Sequence, residues 1–204
     1  MPLKYQVPDD KKVRVIVDSD AACEADDPFA IAHALLCDKF IVKAIFAEHF
    51  NCEGSMKQSF EEIQRVVKAM KKEVPVLVGE IGKLSEKGTG EISEASSFLI
   101  REALREDDKP LYVLCIGAIT NIASAIQACP DIVPHMTVVW IGGQSHEHST
   151  GEVREFNAGN DIEAANLVLG SGVRFWQIPN DVYGSMRISL AEIQMRIAPC
   201  GEIG

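Results

Sequence analysis

Residues 12–27, KVRVIVDSDAACEADD, decide how this chain is read. The β-branched run Val13, Val15, Ile16 and Val17 between polar flanks predicts a buried strand over 13–17. Five acids follow it: Asp18, Asp20, Glu24, Asp26 and Asp27. An apolar helix is then expected over 28–38, with Asp27 as its N-cap and Pro28 at the first helical position. The acids therefore line the turn between a strand's C-terminal end and a helix's N-terminus. In a parallel α/β sheet that edge is where ligands bind.

Working outward, strand and helix patterns alternate along the chain. Strands are expected over 41–47, 74–78, 111–116, 137–141 and 173–178. Helices are expected over 55–72, 91–106, 121–129, 162–169 and 189–197, with Phe98, Leu99 and Leu104 facing inward and Asp161 capping 162–169. Polar loops cover 79–90 and 144–156. The first helix is apolar all round and should be buried on more than one face. Single crossover helices between strands imply an α/β fold: an open, mostly parallel sheet with helices on both faces. A chain of 204 residues fits one domain, 1–204, large enough to bury about 70% of its unfolded surface.

A net charge of −10 argues against nucleic acid or an anionic membrane as partner, since both reward Lys and Arg. No basic start leads into an apolar stretch, and no apolar run reaches bilayer length, so a cytoplasmic protein is expected. The six cysteines show no CxxC spacing, which suits reduced, mostly buried thiols.

Polar residues that look out of place fall after strands: Asp18, Asp20, Asp26 and Asp27; then Glu48, His49 and Asn51; then Glu155 and Asn157. Parallel strands bring these turns to one rim, predicting one acidic, amide-bearing pocket. Such a pocket repels phosphates, and no phosphate-cradling glycine motif is present. It favours a hard cation such as Ca²⁺ or Mg²⁺ and a neutral polyol. Each acid also has a plainer role: Asp27 a cap, Asp26 a partner for the helix dipole, Asp18 an acceptor of turn amides, Glu24 a solvated charge. Asp20 is harder to dismiss, because converging carboxylates repel one another unless a cation sits among them. Cys23 is expected to be inert, His33 structural and His135 at the surface. Asp18 as the nucleophile of a D-x-D aspartyl phosphatase is a minor alternative, lacking that chemistry's lysine.

Three stretches together resemble a known family. DSDAACEADD is similar to the D-x-D-x-G-x-D-D signature of the inosine–uridine-type nucleoside hydrolases. GAITNIASAI, 117–126, resembles that family's G-P-L-T-N-I-A segment, and residues 141–172 resemble its M-G-G…E-F-N…D-P-E-A-A block. The resemblance runs over roughly 13–178 and implies a Rossmann-like nucleoside hydrolase fold. It implies a Ca²⁺-dependent hydrolase that cleaves the N-glycosidic bond of ribonucleosides, usually as a homo-oligomer. By matched position Asp20 is the general base and a metal ligand, and Asp27 and the Ile116 carbonyl are further ligands. Asp26, Asn51, Glu155 and Asn157 fall at ribose-binding positions. The chain departs from the family in four places. The acidic loop is two residues longer, Ser149 stands where asparagine is frequent, and 79–90 carries no histidine. The late His-Asp pair is absent, which implies a C-terminally truncated chain. His49, His146 and His148 are the candidates to replace its leaving-group acid. The competing expectation is an impaired relative that binds cation and ribose-like ligands without turnover.

Overall fold

A computed structural model of the chain describes residues 6–86, 91–145 and 155–204. Among these residues a six-stranded sheet forms the centre. Its strands are β1 (Val13–Ser19), β2 (Phe40–Ala47), β3 (Val76–Leu77), β4 (Leu111–Cys115), β5 (Met136–Ile141) and β6 (Arg174–Ile178). All neighbouring pairs are parallel, in the order β3-β2-β1-β4-β5-β6. The chain builds outward from β1 through β3, then returns to β1's other side and builds outward through β6. The reversal falls between β1 and β4, the crevice where open α/β sheets bind ligands.

The period of two along β1 sorts its side chains between two cores. Val15 and Val17 pack with Ile31 of α1 (Asp26–Leu36) and Ile63, Val66 and Val67 of α2 (Ser55–Ala69). Ile16 faces the opposite layer, with Leu99 of α3 (Glu94–Ala103), Ile122 and Ile126 of α4 (Thr120–Ala128), and Val168 of α6 (Ile162–Gly170). Helices thus cover both faces, as expected. The short α5 (Phe156–Asn160) precedes α6, and α7 (Asn180–Tyr183) and α8 (Leu190–Glu192) follow β6.

Several expectations are corrected. The N-cap of α1 is Ala25, and Asp27 lies inside the first turn, bonded to Ser19 rather than to helix amides. That helix buries one face only: Phe29 and Leu36 are exposed, and so is His33. Leu104 is exposed, just past the end of α3. The expected strand over 74–78 pairs only at Val76 and Leu77, and the helix expected over 55–72 ends at Ala69 before Lys71 turns left-handed. The polar loop 144–156 gives way to α5 at its end. The expected terminal helix starts at a Ser189–Glu192 capping box but continues as a π-turn over Ile193–Ile197. All six cysteines are free, though only Cys115 is fully buried. No helix among the described residues is long and apolar enough to cross a membrane.

Candidate active site

Beyond the paired ends of β1 and β4, where the Ile116 N–H donates to the Asp18 carbonyl at 2.8 Å, lies a cavity of about 490 Å³. Asp20, Asp26 and Asp27 line it from the β1–α1 turn, Ile116 from the end of β4, and Glu155 and Asn157 from the start of α5. Cys23, Phe156, Tyr183, Met186, Arg187 and Ile188 complete much of the wall. Six residues expected at a site from the sequence therefore share one cavity. A wider, shallower depression of about 740 Å³ near Ile126, His135 and Leu167 sits at the opposite end of the sheet and offers only Asp131 and His135 as titratable groups.

The three aspartates differ in setting. Asp26 is exposed at the rim, whereas Asp20 is 2% and Asp27 5% exposed. Burial first, then the charge of Asp27, pushes Asp20 up to about 8. Burial pushes Asp27 up to about 7, opposed by the Ser19 hydroxyl, which donates to its Oδ1 at 2.5 Å. Gly117 leaves room for Asp20: a Cβ there would stand 3.0 Å from its Oδ1. Cys23, in the same loop, is pushed up to about 12 by burial and by Asp20, so its thiol stays protonated.

Asn157 and Glu155 are held tightly. The Asn157 amide donates to the carbonyls of Ile141 (2.9 Å) and Ile116 (3.3 Å). Glu155 is the N-cap of α5 and accepts the Asn157 and Ala158 amides. Asn51 stands apart. It is exposed, does not line the cavity, and has a left-handed φ of 57°. Its N–H donates to His49 Nδ1 at 3.2 Å. Among the described residues no three His, Cys, Asp or Glu side chains form a metal-holding group. The available donors are two carboxylates, Asp20 and Asp27, and the Ile116 carbonyl. Two buried carboxylates, with Asp27 raising Asp20, beside a carbonyl form an all-oxygen set that fits a hard cation.

The remaining polar residues at the strand ends lie behind the cavity, not in it. Asp18 and Glu48 are fully buried and His49 is 1% exposed. Asn121 of α4 ties them together. Its Nδ2 donates to Asp18 Oδ1 (2.8 Å) and the Ala47 carbonyl (3.2 Å), its N–H to Glu48 Oε2 (3.1 Å), and its Oδ1 accepts the Glu80 N–H (2.7 Å). Burial pushes Asp18 up to about 7 and Glu48 well above the carboxylate range. The two acids influence each other directly, and Asp18 Oδ2 is buried with no hydrogen-bond partner among the described residues. A buried, bonded Asp18 removes the aspartyl-phosphatase alternative. His49 is corrected likewise: with Nδ1 accepting from Asn51 and Nε2 2.8 Å from Thr120 Oγ1, it is a structural residue and no leaving-group acid. His146, His148 and Ser149 lie outside the described residues.

Comparison with known proteins agrees with this fold. A family model described as inosine-uridine preferring nucleoside hydrolase matches residues 15–201. The non-specific ribonucleoside hydrolase RihC of Escherichia fergusonii is 36% identical over 91 residues, 44% of this chain and 30% of that protein. Among solved structures, an inosine-guanosine nucleoside hydrolase superposes with a TM-score of 0.74 at 21% identity, over 93% of this chain and 68% of that one. A purine-preferring ribonucleoside hydrolase from Gardnerella vaginalis gives 0.70 at 23% identity, over 89% and 65%. The match thus spans under a third of the curated relative and about two thirds of the solved chains.

Proposed function

We propose that this chain, which belongs to the inosine-uridine preferring nucleoside hydrolase family, hydrolyses the N-glycosidic bond of ribonucleosides to free base and ribose. The supporting observation is the convergence of Asp20, Asp26 and Asp27 with Ile116, Glu155 and Asn157 on one cavity at the sheet's switch point. Asp20 is the base in this reading, taking a proton from a water directed at the anomeric carbon; its position on the cavity wall supports the assignment. The carbon–nitrogen bond breaks with its electron pair leaving on the base. The positive charge that grows on the sugar ring is met by the acidic wall. Asp26, exposed at the rim, and Asn157 are assigned to ribose hydroxyls, as is Glu155. For Asn51, which stands outside the cavity wall, the support is its family position alone.

Asp20, Asp27 and the Ile116 carbonyl would hold a divalent cation, Ca²⁺ in our reading, which supplies the positive charge that keeps the carboxylates ionised and makes a nearby water more acidic. Free thiols at all six cysteines support a cytoplasmic location. Exposed Trp176, Leu190 and Met195 support a homo-oligomer.

The test is ribose release from a nucleoside panel that includes inosine and uridine, with Ca²⁺ present. Asp20→Asn is expected to lower turnover by about 10²–10⁴-fold while the far-UV circular dichroism stays unchanged; full activity in that variant excludes Asp20 as base. A second reading, ligand binding without turnover, is favoured by the absence of any histidine from the cavity wall among the described residues. Saturable ribose binding with no ribose release from any nucleoside would select it.

A further inference from the structure

Glu155 lies against the cavity with its carboxylate filled. Oε1 accepts the Asn157 N–H at 2.9 Å and the Tyr183 hydroxyl at 2.7 Å. Oε2 accepts the Gly143 N–H at 2.6 Å and the Ala158 N–H at 2.8 Å. A carboxylate has about four lone-pair positions, and four donors take them. A sugar hydroxyl can bond Glu155 only if one donor leaves. Three of the four are backbone amides. Asn157 and Ala158 sit in the capped first turn of α5, and Gly143 is fixed after β5, where its carbonyl accepts the Asn180 N–H at 3.0 Å. Tyr183 alone is a side chain, only partly buried, at the end of the four-residue α7. Its phenol also accepts from Asn180 Nδ2 at 3.0 Å. A rotation about its side-chain bonds frees it without moving the sheet.

We infer that Tyr183 is a substrate-site residue whose hydroxyl stands in, before binding, for a ligand hydroxyl at Glu155, and that binding displaces it. Burial and the contact with Glu155 push its phenol up to about 12, so it donates throughout the working range of pH. The displaced ring belongs to the same wall as Phe156, Met186 and Ile188, so it can re-seat against the ligand's apolar face. The arrangement selects for a hydroxyl at this position. A ligand lacking one leaves Tyr183 in place and gains nothing from Glu155. The inference rests on the ribosyl reading of the pocket given above.

The experiment is calorimetric titration of D-ribose, with Ca²⁺ present, into the wild-type chain, Tyr183→Phe, Glu155→Gln and the double variant. Because the phenylalanine cannot occupy the acceptor, Tyr183→Phe should bind ribose about tenfold more tightly, the scale of one hydrogen bond to a charged group. In the Glu155→Gln background the same change should alter affinity by less than about twofold. Equal or weaker binding by Tyr183→Phe, or an equal gain in both backgrounds, overturns the inference, as does absence of ribose binding in every protein. In nucleoside hydrolysis the expected sign is a lower KM with kcat little changed. Turnover without the affinity gain rejects the displacement alone, whereas the gain without turnover in any protein rejects the hydrolase reading alone.

Discussion

Asn121 shows what a single side chain can hold together. Its amide and backbone bridge the ends of β1, β2 and β3, contacting Asp18, Ala47, Glu48 and Glu80 in a space without solvent. Asn121→Ala leaves the Glu80 N–H and one Asp18 oxygen without partners in that space, an expected loss of about 2–4 kcal/mol in urea denaturation. A loss below about 1 kcal/mol would mean that water reaches the network. At this scale the sequence was informative about chemical type and blind to depth. Asp20, Asp26 and Asp27 stand out because nothing in a strand-to-helix turn requires so many acids. Asp18 and Glu48 look the same in the letters, yet the parity of β1 turns Asp18 toward Asn121, over a hundred residues away. Tyr183 escaped notice because no element was expected between 178 and 189. The available signal was a tyrosine just past a strand's C-terminal end, on the rim that carries the other site residues.

Among the elements, β3 is the shortest strand and depends most on the residues just beyond its C-terminal end. Its chain continues into Gly79 and Glu80. The Glu80 carboxylate accepts the Ser93 amide and the Ser96 and Ser124 hydroxyls at 3.0, 3.0 and 2.6 Å, joining α3 and α4 to the sheet edge. This close approach requires glycine: a Cβ on Gly79 would fall 1.9 Å from the Ala47 carbonyl and 2.6 Å from the Asn121 amide. Gly79→Ala should therefore cost about 3 kcal/mol, with loss of protection of the β2–β3 amides in hydrogen exchange. Unchanged protection would show that the edge can shift to admit a methyl group. Element identities were readable because alternating apolar runs and capped helices carry strong periodicity; the parallel sheet and both helical layers follow from that pattern, whereas the strand order does not. The ends were less readable. The start of α1 is set by the Ser19–Asp27 bond, a matter of tertiary placement, and α5 by a glutamate capping its own following turn in place of the usual Ser, Thr, Asp or Asn.

For the molecule as a whole, an acidic chain of net charge −10 buries three aspartates at one edge of its sheet, Asp20 and Asp27 on the cavity wall and Asp18 behind them beside Glu48. Asp20 is raised from 3.8 to about 8, and Asp18 and Asp27 from 3.8 to about 7. The sign of the linkage comes from that direction. A carboxyl whose folded value lies above its unfolded one contributes most below the unfolded value, and its contribution is lost as pH rises through the folded value. Without cation, the fold should therefore weaken progressively as pH rises from about 4, where the unfolded carboxyls ionise, to about 8, where the last folded one does, with Tm falling across that range. Asp20→Asn removes one of the groups and should flatten that slope. Ca²⁺ at saturation should do more. A cation that binds the folded, ionised cluster stabilises it by mass action, most strongly at the higher pH where the carboxyls no longer hold protons. Thermal melts in chelator and in Ca²⁺ across this range give the measurement, with Mg²⁺ as the comparison. A cation-dependent rise in Tm that grows with pH and shrinks in Asp20→Asn places the ion at this cluster. A rise of equal size in the variant puts the ion elsewhere on an acidic surface, and a cation-free protein that is most stable at high pH would show that the three carboxyls are not buried as a group.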